Sequence, residues 1–492
     1  MTPASRGRPA PESGQAPTRH APRTRNVARR ELDPARRVAF EVLRAVDAED
    51  AYANLVLPRL LRSAGLTGRD AAFATELGYG TLRGRGTYDA VLAACVDRRL
   101  AQLDPPVLDA LRLGAHQLLG MRVPAHAAVS ATVDVVRAEV GQGAAGFVNA
   151  VLRRVGERDL TGWLDVVVPP DADDDTLLAV TTSHPEWIVR AFRDALAFGG
   201  RDTGELPALL AADNAAAAVT LAVLPGLGTA AEIAHGRPGA LAPTAVRVDG
   251  PPAAVAAVRA GRARVQDEGS QLVALALVAA DVERPDAGNW LDLCAGPGGK
   301  SALLGAVLAA RGWSAADGVL VANDVSPHRA ELVRHAVAGI ERVAPGLVDV
   351  RVADGRALGE AEPGRYDRVL VDAPCTGLGA LRRRPEARWR RTPADLAPLG
   401  PLQRELLRSA LDAVRPGGVV GYVTCSPHPA ETRLVVDDVL RRRDDVERLD
   451  AREALRAASD GRIHDLGDGP DAQLWPHVHG TDAMYLALLR RC

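Results

Sequence analysis

Two cysteines occupy matching places in this chain. Cys375, in "LVDAPCTGLG", and Cys425, in "GYVTCSPHPAET", each end an apolar run and open a polar loop. One buried cysteine is an ordinary packing residue. Two, each polar-flanked at the end of a strand-like run, have the makings of covalent catalysis. A third cysteine, Cys294, lies in "NWLDLCAGPGGKSALLG" (289–305), where a glycine loop joins a strand-like run to a helix-like run. The same loop holds Lys300, the only lysine among the 60 Lys and Arg residues of the chain. A sequence that uses arginine everywhere else places a compact ammonium here, for which a planar guanidinium is no substitute.

The loop Leu293-Cys294-Ala295-Gly296-Pro297-Gly298-Gly299-Lys300 has the geometry used to bind a nucleoside triphosphate, a dinucleotide or S-adenosylmethionine. Cys294 stands where a triphosphate loop needs its first glycine, and the dinucleotide pattern matches only in part. The next strand-like run, "GVLVAND", ends in Asp324, an acid placed to accept from both ribose hydroxyls. That fits a dinucleotide or S-adenosylmethionine and argues against a triphosphate. The third run ends in "VADGR", where Asp354 is a candidate acceptor for an adenine amino group, and Asp372 follows the fourth. S-adenosylmethionine beside two thiols suits methylation at C5 of cytosine. That carbon is too electron-poor to attack a sulfonium methyl until a thiolate adds to C6. The ring needs protonation or a hydrogen bond at N3 as charge develops, Asp372 lies where a carboxyl provides it, and Lys300 is a candidate cation for lowering a thiol pKa.

The elements that position these residues follow from periodicity. "NWLDLC", "GVLVAND", "VDVRVAD", "YDRVLVDAP" and "GGVVGYVTCS" read as buried strands, alternating with helices over 299–310, 326–340 and 398–414. This is an α/β Rossmann-like sheet with right-handed crossovers, expected over 264–492, and every residue above falls at a strand's carboxyl end. Residues 31–165 show helical rhythm, with Val38, Val42, Leu43 and Val46 on one face, and read as an all-α bundle of six or seven helices. A small α+β adaptor is expected over 166–263, and a disordered basic tail over 1–30. The net charge of −2 makes any polyanion site local. Five widely spaced cysteines without a CxxC pair suggest neither a disulfide scaffold nor a metal site. With no apolar run of membrane length, a cytoplasmic monomer is expected.

"GQGAAGFVNAVLRRV" and "LRLGAHQLLGM" resemble the NusB family of helical RNA-binding domains. "DLCAGPGGKS", "DAPCTGLGALRRRPEARW" and "VTCSPHPAET" resemble motifs I, IV and VI of the RNA cytosine-C5 methyltransferases. The two together resemble the Sun, Fmu or RsmB subgroup, which modifies 16S ribosomal RNA. The resemblance implies S-adenosylmethionine as cofactor, held by Leu293, Cys294, Ala295, Gly296, Pro297, Gly298, Gly299 and Lys300 with Asp324, Asp354 and Asp372. It implies that Cys425 attacks C6 and Cys375 assists elimination. DNA cytosine methyltransferases attack from the other motif, so spacing alone does not decide this. "VQDEGSQ" (265–271) resembles the segment before motif I that lines the site, and His428 departs from the apolar residues common in its loop.

Past Cys375, "LRRRPEARWRR" gathers Arg382, Arg383, Arg384, Arg388, Arg390 and Arg391 around Trp389. Arginines contact phosphates and tryptophan stacks on bases, so RNA binding is expected here. A transfer-RNA cytosine-C5 methyltransferase shares the same active-site motifs. A non-catalytic RNA-binding factor is the reading from another class, and two intact cysteine motifs argue against it.

Overall fold

Seven helices pack between residues 34 and 155: Pro34–Ala48 (α1), Ala53–Ser63 (α2), Gly68–Arg83 (α3), Arg85–Cys95 (α4), Pro105–Ala115 (α5), Ala125–Glu139 (α6) and Gln142–Val155 (α7). The start of α1 shows why. Asp33 caps it by accepting from the backbone N–H of Ala35 and Arg36, Pro34 pre-sets its first turn, and Val38, Val42, Leu43 and Val46 bury one face. The computed structural model describes residues 1–2, 32–121 and 123–492. The expected tail over 1–30 lies outside these apart from its first two residues.

Leu160–Val167 (α8), Asp174–Thr182 (α9), Glu186–Phe198 (α10) and Leu206–Asn214 (α11) follow. The acidic run before α9 is an N-terminal signal, with Asp173 accepting from Thr176 N. A small antiparallel sheet comes next, built from Val219–Val223 (β1), Arg237–Pro238 (β2), Ala245–Val248 (β3) and Ala263–Val265 (β4) in the order β2-β3-β1-β4. Because β4 pairs with β1, this sheet runs past the division placed at 263/264.

The large sheet contains Trp290–Asp292 (β5), Leu320–Asn323 (β6), Val348–Arg351 (β7), Tyr366–Asp372 (β8), Val414–Thr424 (β9), Val446–Leu449 (β10), Ala472–Gln473 (β11) and Tyr485–Arg491 (β12). Its order is β10-β12-β9-β8-β5-β6-β7, with β11 paired to β12. Strands β5 to β9 are parallel and β12 is antiparallel to β9. One face is covered by helices Glu268–Ala279, Gly299–Ala310, Pro327–Glu341 and Ala451–Ala458, which contribute Leu272, Leu303, Val333 and Leu455. Helices Leu396–Ala413 and Arg433–Leu440 cover the other, through Leu407, Leu411 and Val435. The chain leaves β5 on one side for β6 and returns on the other as β8. That reversal opens a crevice at the carboxyl ends of both strands, the general ligand position in such sheets.

Candidate active site

The glycine loop lines this crevice. Leu293 N donates to Leu370 O on β8, and Ala295 N to Asn323 O on β6, so both neighbouring strands hold the loop. Close approach explains its glycines. A Cβ on Gly296 would lie 2.5 Å from Asp324 Oδ2, and one on Gly298, at φ +96°, would lie 2.5 Å from Ala336 Cβ. Gly299 opens the following helix, while Pro297 is the loop's exposed tip. Asp324 is buried, its Oδ2 accepting from Gly296 N at 3.0 Å and its Oδ1 from Ser326 N at 2.9 Å. It braces the loop from the position expected for a ribose acceptor, with its carboxylate turned toward backbone donors.

Asp354 differs from expectation. Its carboxylate caps the turn after β7 and is paired with the Arg356 guanidinium at 2.6 and 3.0 Å. The structure makes it a turn cap with an ion-pair partner, and the adenine role does not follow from its geometry. Two acceptors that sequence reading missed lie closer to the loop. Asp292 Oδ1 and Gln266 Oε1 are buried without a protein hydrogen-bond partner among the described residues. Burial pushes the Asp292 carboxyl up to about 7. A lone acid in the apolar run "NWLDLC" was the available signal for Asp292; Gln266 had none beyond its place in "VQDEGSQ". Orphaned acceptors beside a glycine cradle suit a ligand carrying an ammonium and hydroxyl donors, and S-adenosylmethionine has both.

Lys300 projects from the start of the helix after the loop. Its Nζ lies 2.7 Å from Asp372 Oδ2 at the end of β8. Burial opposes its charge, but the Asp372 carboxylate outweighs this and raises its pKa. The cysteine loops meet beside the pair, with Cys375 Sγ and Cys425 Sγ 3.4 Å apart. The hydrogen bond between the two sulfurs lowers the Cys425 pKa; burial and Asp372 oppose this, and Lys300 and Arg384 reinforce it. The same hydrogen bond, then burial, then Glu431 and Asp372, raise Cys375. The surroundings thus favour ionisation at Cys425 over ionisation at Cys375. Burial raises Cys294 as well, and it packs against the hydrophobic core. His428 caps the turn after Cys425 by accepting from Ala430 N at 3.1 Å, which accounts for its departure from an apolar residue.

The arginine segment needs correction. Arg388 is wholly buried, donating to Asn214 Oδ1 at 2.7 Å, to Asp213 O at 2.9 Å, and to the carbonyls of Arg83 and Ser183 at 3.3 Å. The Trp389 ring packs on Gly86, where a Cβ would lie 2.4 Å from it. Arg390 donates to Val46 O, Asp50 O and Ala51 O. Arg382 and Arg383 are both paired with Asp267 and Asp482. These side chains clamp the helical bundle, the linking helices and the catalytic sheet together. Arg382, Arg383, Arg388 and Trp389 are therefore structural where RNA contacts were expected. Arg384 is exposed, stacked 5.0 Å above the Tyr52 ring.

Comparison with known proteins agrees with this architecture. Residues 279–490 match the family 16S rRNA methyltransferase RsmB/F, and residues 33–157 match the NusB family. A Mycobacterium tuberculosis protein named as a methyltransferase is 54% identical over 96% of this chain and 99% of its own length. The ribosomal RNA small subunit methyltransferase B of Vibrio cholerae is 30% identical over 86% of this chain and 90% of its own. The crystal structure of PH0851 superposes with a TM-score of 0.76 at 21% identity, covering 93% of this chain and 99% of that one, a likeness of fold. The chain belongs to the RsmB/F family and is an S-adenosylmethionine-dependent RNA methyltransferase.

Proposed function

We propose that this protein methylates C5 of a cytosine in 16S ribosomal RNA through a covalent bond between Cys425 and C6. The observation that carries the reading is the sulfur pair, 3.4 Å apart, beside the Lys300–Asp372 ion pair at the carboxyl ends of β8 and β9. Relatives named for ribosomal RNA of the small subunit support the substrate.

The loop 293–299 with Asp292, Gln266 and Asp324 would hold S-adenosylmethionine, which supplies an electrophilic methyl group when bound. Lys300 and the Cys375 S–H stabilise the Cys425 thiolate. Its sulfur bonds C6, and the C5=C6 electron pair becomes available at C5, with the Lys300 ammonium, held in place by Asp372, meeting the negative charge that develops at N3. After methylation the C5 proton passes to water, its electron pair re-forms C5=C6, and the S–C6 bond breaks back onto Cys425. Cys375 then donates its hydrogen bond to the departing thiolate. A cytosine within RNA structure must leave its stack to enter this crevice.

Cys425→Ala should abolish methylation and leave cofactor binding intact. Cys375→Ala should accumulate a protein–RNA adduct on denaturing gels, and an adduct formed by Cys425→Ala instead would reverse the two roles. Mapping 5-methylcytosine in ribosomal and transfer RNA, with and without the protein, tests the substrate. A site lost from transfer RNA alone would overturn the 16S assignment.

A further inference from the structure

Besides the Gly379 N–Cys425 O hydrogen bond at 2.9 Å and the Thr376 Oγ1–Ser426 Oγ contact at 3.3 Å, a buried carboxyl side chain ties the loop carrying Cys375 to the loop carrying Cys425. Glu431, 1% exposed, accepts from Thr376 N at 2.7 Å and from Thr376 Oγ1 at 2.5 Å. Gln403 donates to Glu431 Oε1 at 3.4 Å and to Pro374 O at 2.8 Å, bracing the same loop from helix Leu396–Ala413. The Glu431 carbonyl accepts from the Tyr422 hydroxyl at 2.9 Å, three residues before Cys425 on β9. The Thr376 N–H and the Gln403 amide can only donate to the carboxyl group, and the Thr376 hydroxyl completes its partners. Among the described residues Glu431 has no Arg, Lys or His ion-pair partner, so its charge acts on its surroundings without a nearby counter-ion.

The charged groups around the pair are unevenly divided. Lys300 and Arg384 favour ionisation of Cys425, Asp372 disfavours it at both sulfurs, and Glu431, bonded to the neighbouring Thr376, disfavours it at Cys375. Tyr422 on β9 and His428 in the Cys425 loop are held neutral by burial and add no charge at ordinary pH. A carboxylate beside one thiol of a hydrogen-bonded pair disfavours ionisation of that thiol, and cations beside the other favour it.

We propose that Glu431 is a positioning residue for the reaction: it anchors the Cys375 loop through Thr376 and keeps the shared proton on Cys375, leaving Cys425 as the nucleophile. This rests on the cysteine roles given above. It explains how one of two adjacent thiols is selected for attack, which neither motif does by itself.

The full-length protein without RNA is alkylated with iodoacetamide across a pH series, and each cysteine is followed by peptide mass mapping. Cys425 should react first at neutral pH in the parent chain. In Glu431→Gln, which keeps the shape and removes the charge, the midpoint for Cys375 should fall by about one pH unit and the preference for Cys425 should shrink about tenfold. An unchanged Cys375 midpoint overturns the proposal. If circular dichroism shows Glu431→Gln unfolded, Glu431→Asp takes its place, with the charge kept and the reach to Thr376 shortened. That variant should retain the alkylation order, lower kcat about tenfold at unchanged KM, and accumulate adduct. Parent-like kcat without adduct overturns the proposal equally. The alkylation order is read without substrate, so failure to find 5-methylcytosine would sink the proposed chemistry and leave this measurement standing.

Discussion

Lys300 and Arg388 are both buried cations, and their surroundings assign them opposite tasks. Lys300 meets one carboxylate, Asp372 at 2.7 Å, and faces the Cys425 sulfur at the edge of the crevice. Arg388 meets a side-chain amide and three carbonyls drawn from α3, the segment between α9 and α10, and the end of α11. Asp213, nearby, is wholly buried with neither carboxylate oxygen hydrogen-bonded among the described residues, and burial pushes its carboxyl up to about 7. Burial pulls Arg388 down to about 10, whereas Asp372 overcomes burial at Lys300. A cation with a carboxylate partner and a reactive group in view can serve chemistry. One whose donors are shared among separate chain segments holds those segments together, and a long planar fork does that better than a point charge.

The comparison is tested most severely at Arg388. Arg388→Ala should cost about 3–5 kcal/mol of stability, because it leaves buried carbonyls from three segments without a donor. Urea denaturation reads this directly, and a loss below about 1 kcal/mol would remove Arg388 from its place as the clamp. Next, Lys300→Arg should lower kcat by roughly 10²-fold, about 2.7 kcal/mol, with little change in the urea midpoint. Parent-like turnover would mean that positive charge alone suffices at position 300. The smallest effect is expected at Arg384, the exposed member of the segment. Arg384→Ala should weaken RNA binding by under about 1 kcal/mol and flatten the salt slope by about one. Arg382→Ala, by contrast, should lower stability and leave that slope in place. A reversed pattern would put the RNA path on the buried arginines.

The catalytic crevice was legible because buried parallel strands announce themselves as apolar runs and their carboxyl ends follow from where those runs stop. The loop 293–300, Asp324, Asp372, Cys375 and Cys425 all lie at such ends. Asp354 lies at the expected strand end, with a partner there that was not foreseen. Arg356, two residues on, offers it a guanidinium that a strand-end rule does not weigh. The arginine segment misled for a related reason. Clustered charge normally means solvent, yet Asp267 and Asp482, which pair with Arg382 and Arg383, lie 99 to 116 residues away in sequence. Glu431 carried no signal in the sequence, and only the folded loops show that its carboxylate reaches Thr376.

The sequence by itself determined the sheet, the glycine loop, the solitary lysine and the presence of two thiols, because each depends on local periodicity or residue type. Only the tertiary structure decided which charges face which atoms. It brought the two sulfurs to 3.4 Å, set Lys300 against Asp372, placed Glu431 behind Cys375, and buried Arg388 between domains. The reason is physical. A side chain's ionisation and hydrogen bonding depend on desolvation and on neighbours within a few ångströms, and those neighbours are chosen by packing across distant segments.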